Sequence, residues 1–310
     1  MSEVGPLILL LATSLRMATP LLFTALGELY TEKSGVMNLG VEGLMIAGAF
    51  FGFVITYFSQ DPWLGVLAGL ISGALLSLIF AFCAISLGVN QVVTGIALNL
   101  FILGSSNYIF RLIYGIPKVL PFTNFAFKEI NIPGLSQIPF IGPIFFSQRF
   151  LTYIALFLCL VLYIILYRTR FGLKIIACGE SPEAADTRGI NVHLIRYICV
   201  IIGGGLAGMG GAFLSIAQFN QFTPGMVAGR GYIAFALVIF GRWSPGRIIF
   251  GALLFGFIEA LALLFQSLIT FPHQIIMMLP YIITIVALIA VRKHRSAQPS
   301  FLAIPYSRNR

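Results

Sequence analysis

Residues 63–87 read WLGVLAGLISGALLSLIFAFCAISL, without one charged side chain. A helix needs roughly 20 apolar residues to cross the hydrocarbon core of a bilayer, and this stretch is long enough. Working outward, runs of similar length cover about 7–28, 38–58, 89–110, 149–167, 197–219, 246–268 and 274–291. A shorter one at 229–241 reads either as a short span or as a re-entrant piece. The pattern predicts an all-α polytopic membrane protein with about nine transmembrane helices. Composition agrees: the 310 residues are 59% hydrophobic and 9% charged, with mean hydropathy +0.98. A soluble domain carries about 25% charged residues, so water cannot be the solvent of this surface.

The net charge of +9 would point to nucleic acid in a soluble protein. Here the basic residues sit between apolar runs, where they set topology by the excess of Lys and Arg on the cytoplasmic side, and no nucleic-acid partner is expected. Arg168, Arg170, Lys174, Arg188 and Arg196 crowd segment 168–196, and Arg292, Lys293, Arg295, Arg308 and Arg310 crowd the tail 292–310. Both read as cytoplasmic. Arg242, Arg247 and Lys33 then also fall inside if 229–241 crosses. The N-terminus falls outside, with Arg111, Lys118, Lys128, Arg149 and Arg230 in outer loops. Segment 111–148, broken by Pro117, Pro121, Pro133, Pro139 and Pro143, reads as an ordered extracytoplasmic loop. The whole chain, 1–310, reads as one transmembrane domain in the plasma (inner) membrane. Its opening, MSEVGPLILL, lacks the basic n-region of a cleavable signal.

Segment 180–189 spells a short helix. Ser181 suits the N-cap, Pro182 the first helical position, and Glu183 the positive end of the helix dipole. Arg188 suits the other end, and Gly189 the left-handed residue beyond it. Two turns of helix are marginal alone, so this one needs a surface: either its own bundle or a cytoplasmic partner.

Several stretches resemble one family. Gly27-Glu28-Leu29-Tyr30 followed by Gly35-Val36-Met37-Asn38-Leu39-Gly40-Val41-Glu42-Gly43 is similar to the signature of permease subunits of the ribose and branched-chain amino acid class of ABC importers. The wording is closest to the nucleoside (simple sugar-type) uptake subgroup. Asn90-Gln91-Val92-Val93-Thr94-Gly95, Gly179 through Ala185, and Thr223-Pro224-Gly225 with Gly229-Arg230-Gly231-Tyr232 resemble it too, in family order from about residue 18 to 250. The resemblance implies a translocation path for a small polar solute, a nucleoside or simple sugar, between this permease and a second one, a paralogue or itself. It also implies a cytoplasmic ABC ATPase that carries ATP and magnesium, and an extracytoplasmic solute-binding protein. Ser181, Pro182, Glu183, Ala184, Ala185 and Asp186 become the coupling contact to that ATPase. No cofactor is expected in this chain, because it contains no G-x-x-x-x-G-K-[S/T] phosphate loop.

Polar residues within spans are costly unless partnered or wetted, which makes them path candidates. Gln91, Thr94, Gly95, Asn99, Ser105 and Ser106 share one helical face; either a path lining or an interhelical hydrogen-bond seam explains them. Gln218, Asn220 and Gln221, interleaved with Phe219 and Phe222, suit a sugar or nucleobase and equally an interfacial belt. Arg16 and Glu259 either pair with each other, the least costly arrangement for two charges within spans, or each faces a water-filled path or the partner subunit. Asn38 and Glu42 are expected to open a helix as cap and anion and to shape an inner gate.

Gly203-Gly204-Gly205-Leu206-Ala207-Gly208 matches G-x-G-x-x-G, but the next acid is Glu259, far beyond the ribose-binding position; close helix packing in lipid explains the run. Glu42-Gly43-Leu44-Met45-Ile46-Ala47 and Arg230-Gly231-Tyr232-Ile233-Ala234 open helices from opposite faces, as an inverted repeat would, although so short a match also arises by chance. Cys83, Cys159, Cys178 and Cys199 form no CxxC pair. His193, His273 and His294 lack metal-ligand spacing, and no nucleophile motif points to an enzyme. The alternative function is a self-sufficient ion-coupled transporter, with Glu259 as its one deep carboxylate.

Overall fold

The computed structural model describes residues 5–115, 121–125, 127–131, 133–136, 138, 140–268, 278, 282–283, 285 and 297–307. Among these, seven helices are long and apolar enough to cross a membrane. They are α1 (Pro6–Lys33), α2 (Val41–Ser59), α3 (Pro62–Ala81, extended by a π turn at Phe82–Ser86) and α4 (Gln91–Tyr114). After the short strands β1 (Glu129–Asn131) and β2 (Ser147–Arg149) with α5 (Ile141–Phe145) between them comes α6 (Phe150–Arg168). Two short helices follow, α7 (Arg170–Glu180) and α8 (Pro182–Thr187). Then come α9 (Val192–Ala212, extended by a π turn at Phe213–Gln218), the 11-residue α10 (Arg230–Phe240) and α11 (Pro245–Leu268). The expected span 274–291 lies almost wholly outside the described residues.

The fold is an all-α polytopic bundle with α9 at its centre. The most apolar stretch of α9 is 83% buried, against 33% for α3 and 28% for α4, so α9 is surrounded by this chain while α3 and α4 lie at the rim of the bundle. Glycines make that possible. A Cβ on Gly208 would collide with the Gly69 carbonyl of α3, and one on Gly48 of α2 with the Gly208 carbonyl. In lipid, where no hydrophobic effect drives helices together, such backbone contact supplies the packing. The G-x-G-x-x-G run is therefore a packing surface.

Helix α10 answers the question left by the 229–241 run. Trp243 Nε1 donates to Glu32 Oε2 (2.5 Å), and Arg196 Nε donates to the Ser34 carbonyl (3.1 Å). The end of α1, the start of α9 and the end of α10 thus lie at one end of the bundle. α9 with its π turn leaves that end over 27 residues, and residues 219–240 must return. Eleven helical residues rise only about 16 Å, half of a core roughly 30 Å thick. The loop before α10 makes the rest of the crossing, so Arg230 is not in an outer loop as expected: it opens a helix within the bundle.

Segment 168–196 holds α7 as well as α8, and segment 111–148 carries an antiparallel pair with Glu129 opposite Arg149. Arg16 and Glu259 do not pair. Arg16 Nη1 contacts Glu129 Oε1 at 2.5 Å, its Nε donates to Gln148 Oε1 at 3.0 Å, and Glu259 pairs with Arg230 at 2.6 Å. The β1–β2 hairpin folds back on α1 and reaches Arg16 first, a long-range contact that apolar periodicity does not encode. Burial and the neighbouring Arg16 pull the Arg149 guanidinium below its ordinary value, with Glu129 opposing them.

Candidate functional site

The Asn38–Glu42 turn and the start of α10 meet face to face. Gly40, not Asn38, occupies the N-cap of α2. Asn38 Oδ1 accepts from Gly40 N (2.9 Å), and Asn38 N donates to Glu28 Oε1 (3.0 Å). Glu42 lies in the first turn of α2, yet its carboxylate serves another helix: Oε1 accepts from Gly229 N (2.8 Å) and Oε2 from Gly231 N (2.7 Å). An anion against free N–H groups at a helix start is favourable both as hydrogen bonding and as dipole neutralisation. Glycine is needed at both donors. Gly229 has φ 79°, and a Cβ on Gly231 would sit 2.6 Å from Glu42 Cα.

Asn99 braces the same junction. Its Oδ1 accepts from Gly43 N (2.7 Å), and its Nδ2 donates to the Leu39 carbonyl (2.7 Å) and Tyr232 Oη (3.0 Å). Gln91 is buried too, with Oε1 accepting from Met37 N (2.8 Å) and Nε2 lacking a described partner. Thr94 returns its hydroxyl to the Asn90 carbonyl (2.9 Å). Gln91 and Asn99 thus tie α4 to the loop and first turn of α2, while Ser105 and Ser106, like Thr94, bond carbonyls of their own helix.

A second group gathers around a cavity of about 160 Å³ whose walls include Gln218, Phe219, Arg230, Ile233, Glu259 and Gln266. Glu259 Oε2, Arg230 Nε and Gln218 Oε1 are buried and make no hydrogen bond among the described residues, while Gln218 Nε2 donates to Met17 Sδ (2.8 Å). Arg230 Nη1 also donates to the Met226 and Val227 carbonyls (3.2 and 3.1 Å). Asn220 and Gln221 lie apart at the far end. The Asn220 carbonyl accepts from Thr123 N (2.9 Å), and Gln221 bridges Phe122.

The third group is α8. Ser181 stands at its N-cap but makes no side-chain capping bond, Pro182 fills the first turn, and Gly189 takes φ 78°. Pro182 and Ala185 are buried against the protein, Asp186 is half-buried, and Glu183 and Ala184 are exposed. One face of this helix is anchored and the other is free.

Sequence reasoning missed four participants. Glu28 and Glu32, 2% and 0% exposed, are deep carboxylates, so Glu259 is not the one such group. Trp243 and Arg196 hold the end they share. The signal was available: no helix breaker stands between residue 28 and Gly35, so α1 runs on to Lys33 instead of ending at 28.

A profile of the family described as branched-chain amino acid transport system / permease component matches residues 10–288. The chain is 41% identical to a guanosine ABC transporter permease of Bacillus subtilis, over 99% of this chain and 98% of that one. It is 35% identical to a nucleoside ABC transporter permease of Lactococcus lactis, over 93% of both. With a putative glucose ABC transporter permease of Haloferax volcanii it shares 44%, over 84% of this chain and 78% of the other. No solved structure matches.

Proposed function

The chain belongs to the branched-chain amino acid transport permease family, and from that premise we propose that it carries a neutral polyhydroxylated solute, a nucleoside or simple sugar, past the Arg230–Glu259 pair. It is a multi-pass permease subunit of an ABC importer and a pathway subunit, not an enzyme. The observation that carries the solute reading is the cavity's charge balance. One cation and one anion cancel at 2.6 Å, so a charged solute gains nothing there. Glu259 Oε2 and Gln218 Oε1 are acceptors for hydroxyl or amino groups, and Arg230 Nε is a donor. None of these three atoms makes a hydrogen bond among the described residues. Phe219, 40% exposed, offers a ring face to a base or sugar. The names of the nucleoside and glucose relatives agree with this chemistry.

The remaining assignments follow from charge and exposure. The end carrying α7 and α8 holds Arg168, Arg170, Lys174, Arg188, Arg242 and Arg247, which argues for the cytoplasm and puts the N-terminus outside. The free face of α8 then docks on a separate ABC ATPase that holds ATP and magnesium. The β1–β2 side faces an extracytoplasmic binding protein, and a second permease completes the path. Glu42 and Asn38 form the gate that this path crosses, with Gln91, Thr94 and Asn99 bracing it, and Asn220 and Gln221 line its outer approach.

The test is uptake by the reconstituted complex with nucleosides, glucose and leucine in competition. Glu259→Gln is expected to lower uptake of the preferred solute about tenfold, the loss of one hydrogen bond to a charged group, while the protein still assembles. Undiminished uptake in an assembled complex rejects the site.

A further inference from the structure

Residues 297–307 return to the end of the bundle that carries α7 and α8, and they bond to two separate parts of it. Phe301 N donates to the Gly179 carbonyl (2.9 Å). The Ser300 hydroxyl and N–H both donate to Glu180 Oε2 (2.9 and 3.4 Å). Gly179 and Glu180 are the last residues of α7, directly before Ser181 and α8. Two residues further along the strap, Ala303 N donates to the Gly35 carbonyl (3.1 Å), in the turn that leads to Asn38 and Glu42. Stem and turn also touch directly, since a Cβ on Gly179 would collide with the Lys33 carbonyl.

Arg196 fastens the join. It is 2% exposed, and no described carboxylate lies within ion-pair distance of it. Its Nε donates to the Ser34 carbonyl (3.1 Å) and its Nη1 to the Ile304 carbonyl (3.2 Å). The negative end of the α1 dipole and one strap carbonyl thus stand in for a counter-ion. Leu302 is buried, the Tyr306 ring meets His193 at 5.8 Å, and Ala303 takes φ 64°. An L-residue holds that conformation only where its surroundings enforce it, so the strap is firmly seated.

We propose that residues 300–304 splice the stem of α8 to the turn before α2, so that a displacement of α8 reaches the Glu42–α10 junction as a rigid-body movement. The proposal rests on the reading of α8 as the ATPase contact. A strap that served only to tidy the chain end would need neither partner. This one bonds both, and only Val36 and Met37 separate Gly35 from Asn38.

The experiment uses the full reconstituted complex and measures ATP hydrolysis and solute uptake in the same vesicles. Phe301→Pro with Ala303→Pro removes both backbone donors, and proline cannot adopt the left-handed φ. Hydrolysis within twofold of wild type with uptake lowered at least tenfold is the expected result. Unchanged uptake per ATP overturns the proposal, and so does equal loss of both activities in an assembled complex. A second pair, Ser300→Cys with Glu180→Cys, gives up the Ser300–Glu180 bonds but keeps the Phe301 and Ala303 backbone donors, and is bridged by a short thiol cross-linker. Uptake is expected to survive bridging, because the joined parts move together; uptake that fails on bridging refutes the splice. Glu183→Lys with Asp186→Lys separates the two claims. If that variant keeps full hydrolysis and uptake, the α8 reading falls, whatever the strap variants do.

Discussion

Replacing Glu42 tests the junction on which the gate depends. Its two carboxylate oxygens accept from Gly229 N and Gly231 N at 2.8 and 2.7 Å, and the residue is 8% exposed. In Glu42→Gln one oxygen remains and the other becomes an NH2 group facing an N–H donor. One charge-assisted hydrogen bond is lost, worth about 1.5–3 kcal/mol. Loss of the anion at the α10 N-terminus adds roughly 0.3–1 kcal/mol. The total is about 2–4 kcal/mol. At about 2 °C per kcal/mol for a chain of this size, the apparent unfolding midpoint of the detergent-purified protein is expected to fall by about 4–8 °C. Glu42→Asp keeps the charge but is one methylene shorter, so it cannot bridge both donors without backbone movement, and it is expected to fall between the two. A Glu42→Gln midpoint within about 1 °C of wild type refutes the reasoning, because it would mean that the carboxylate contributes no more than a neutral amide does.

Gly208→Ala places a Cβ against the Gly69 carbonyl, whereas the nearest atom to a Cβ on Gly205 is 3.6 Å away. The first is expected to cost about 1–3 kcal/mol by overpacking and the second to be tolerated, as read by thermal unfolding of both; equal midpoints would refute the packing role. Asn99→Leu strands the Gly43 N–H and the Leu39 carbonyl in a buried seam, at about 1–3 kcal/mol each. Folded yield is expected to fall together with uptake, and a well-folded variant defective only in uptake would return Asn99 to the path lining.

Span existence was legible from the first because a bilayer imposes a length and a composition on every crossing helix. The run 63–87 and its neighbours were therefore readable without any contact being known. The short helix at 182–187 was legible for a local reason as well: Pro182, Glu183 and Gly189 each suit one position of a capped helix. The family signature marked the right turns, Asn38–Glu42 and Thr223–Tyr232, without saying that they touch. What failed was pairing. Arg16 and Glu259 are the two charges that straight apolar spans leave without a sequence neighbour of opposite sign. Each has a nearer partner once β1–β2 folds back and α10 begins inside the bundle.

By itself, then, the sequence determined the solvent, the helical class, the approximate spans and the family, since these depend on composition and local periodicity. Only the tertiary structure decided which polar group meets which: Glu42 with the α10 amides, Arg230 with Glu259, the strap with Gly179 and Gly35. The physical reason is that a buried polar group must find a partner, yet any of several lies within reach of the same apolar pattern. The choice is made by helix depth and crossing, which arise from contacts between residues far apart in the chain.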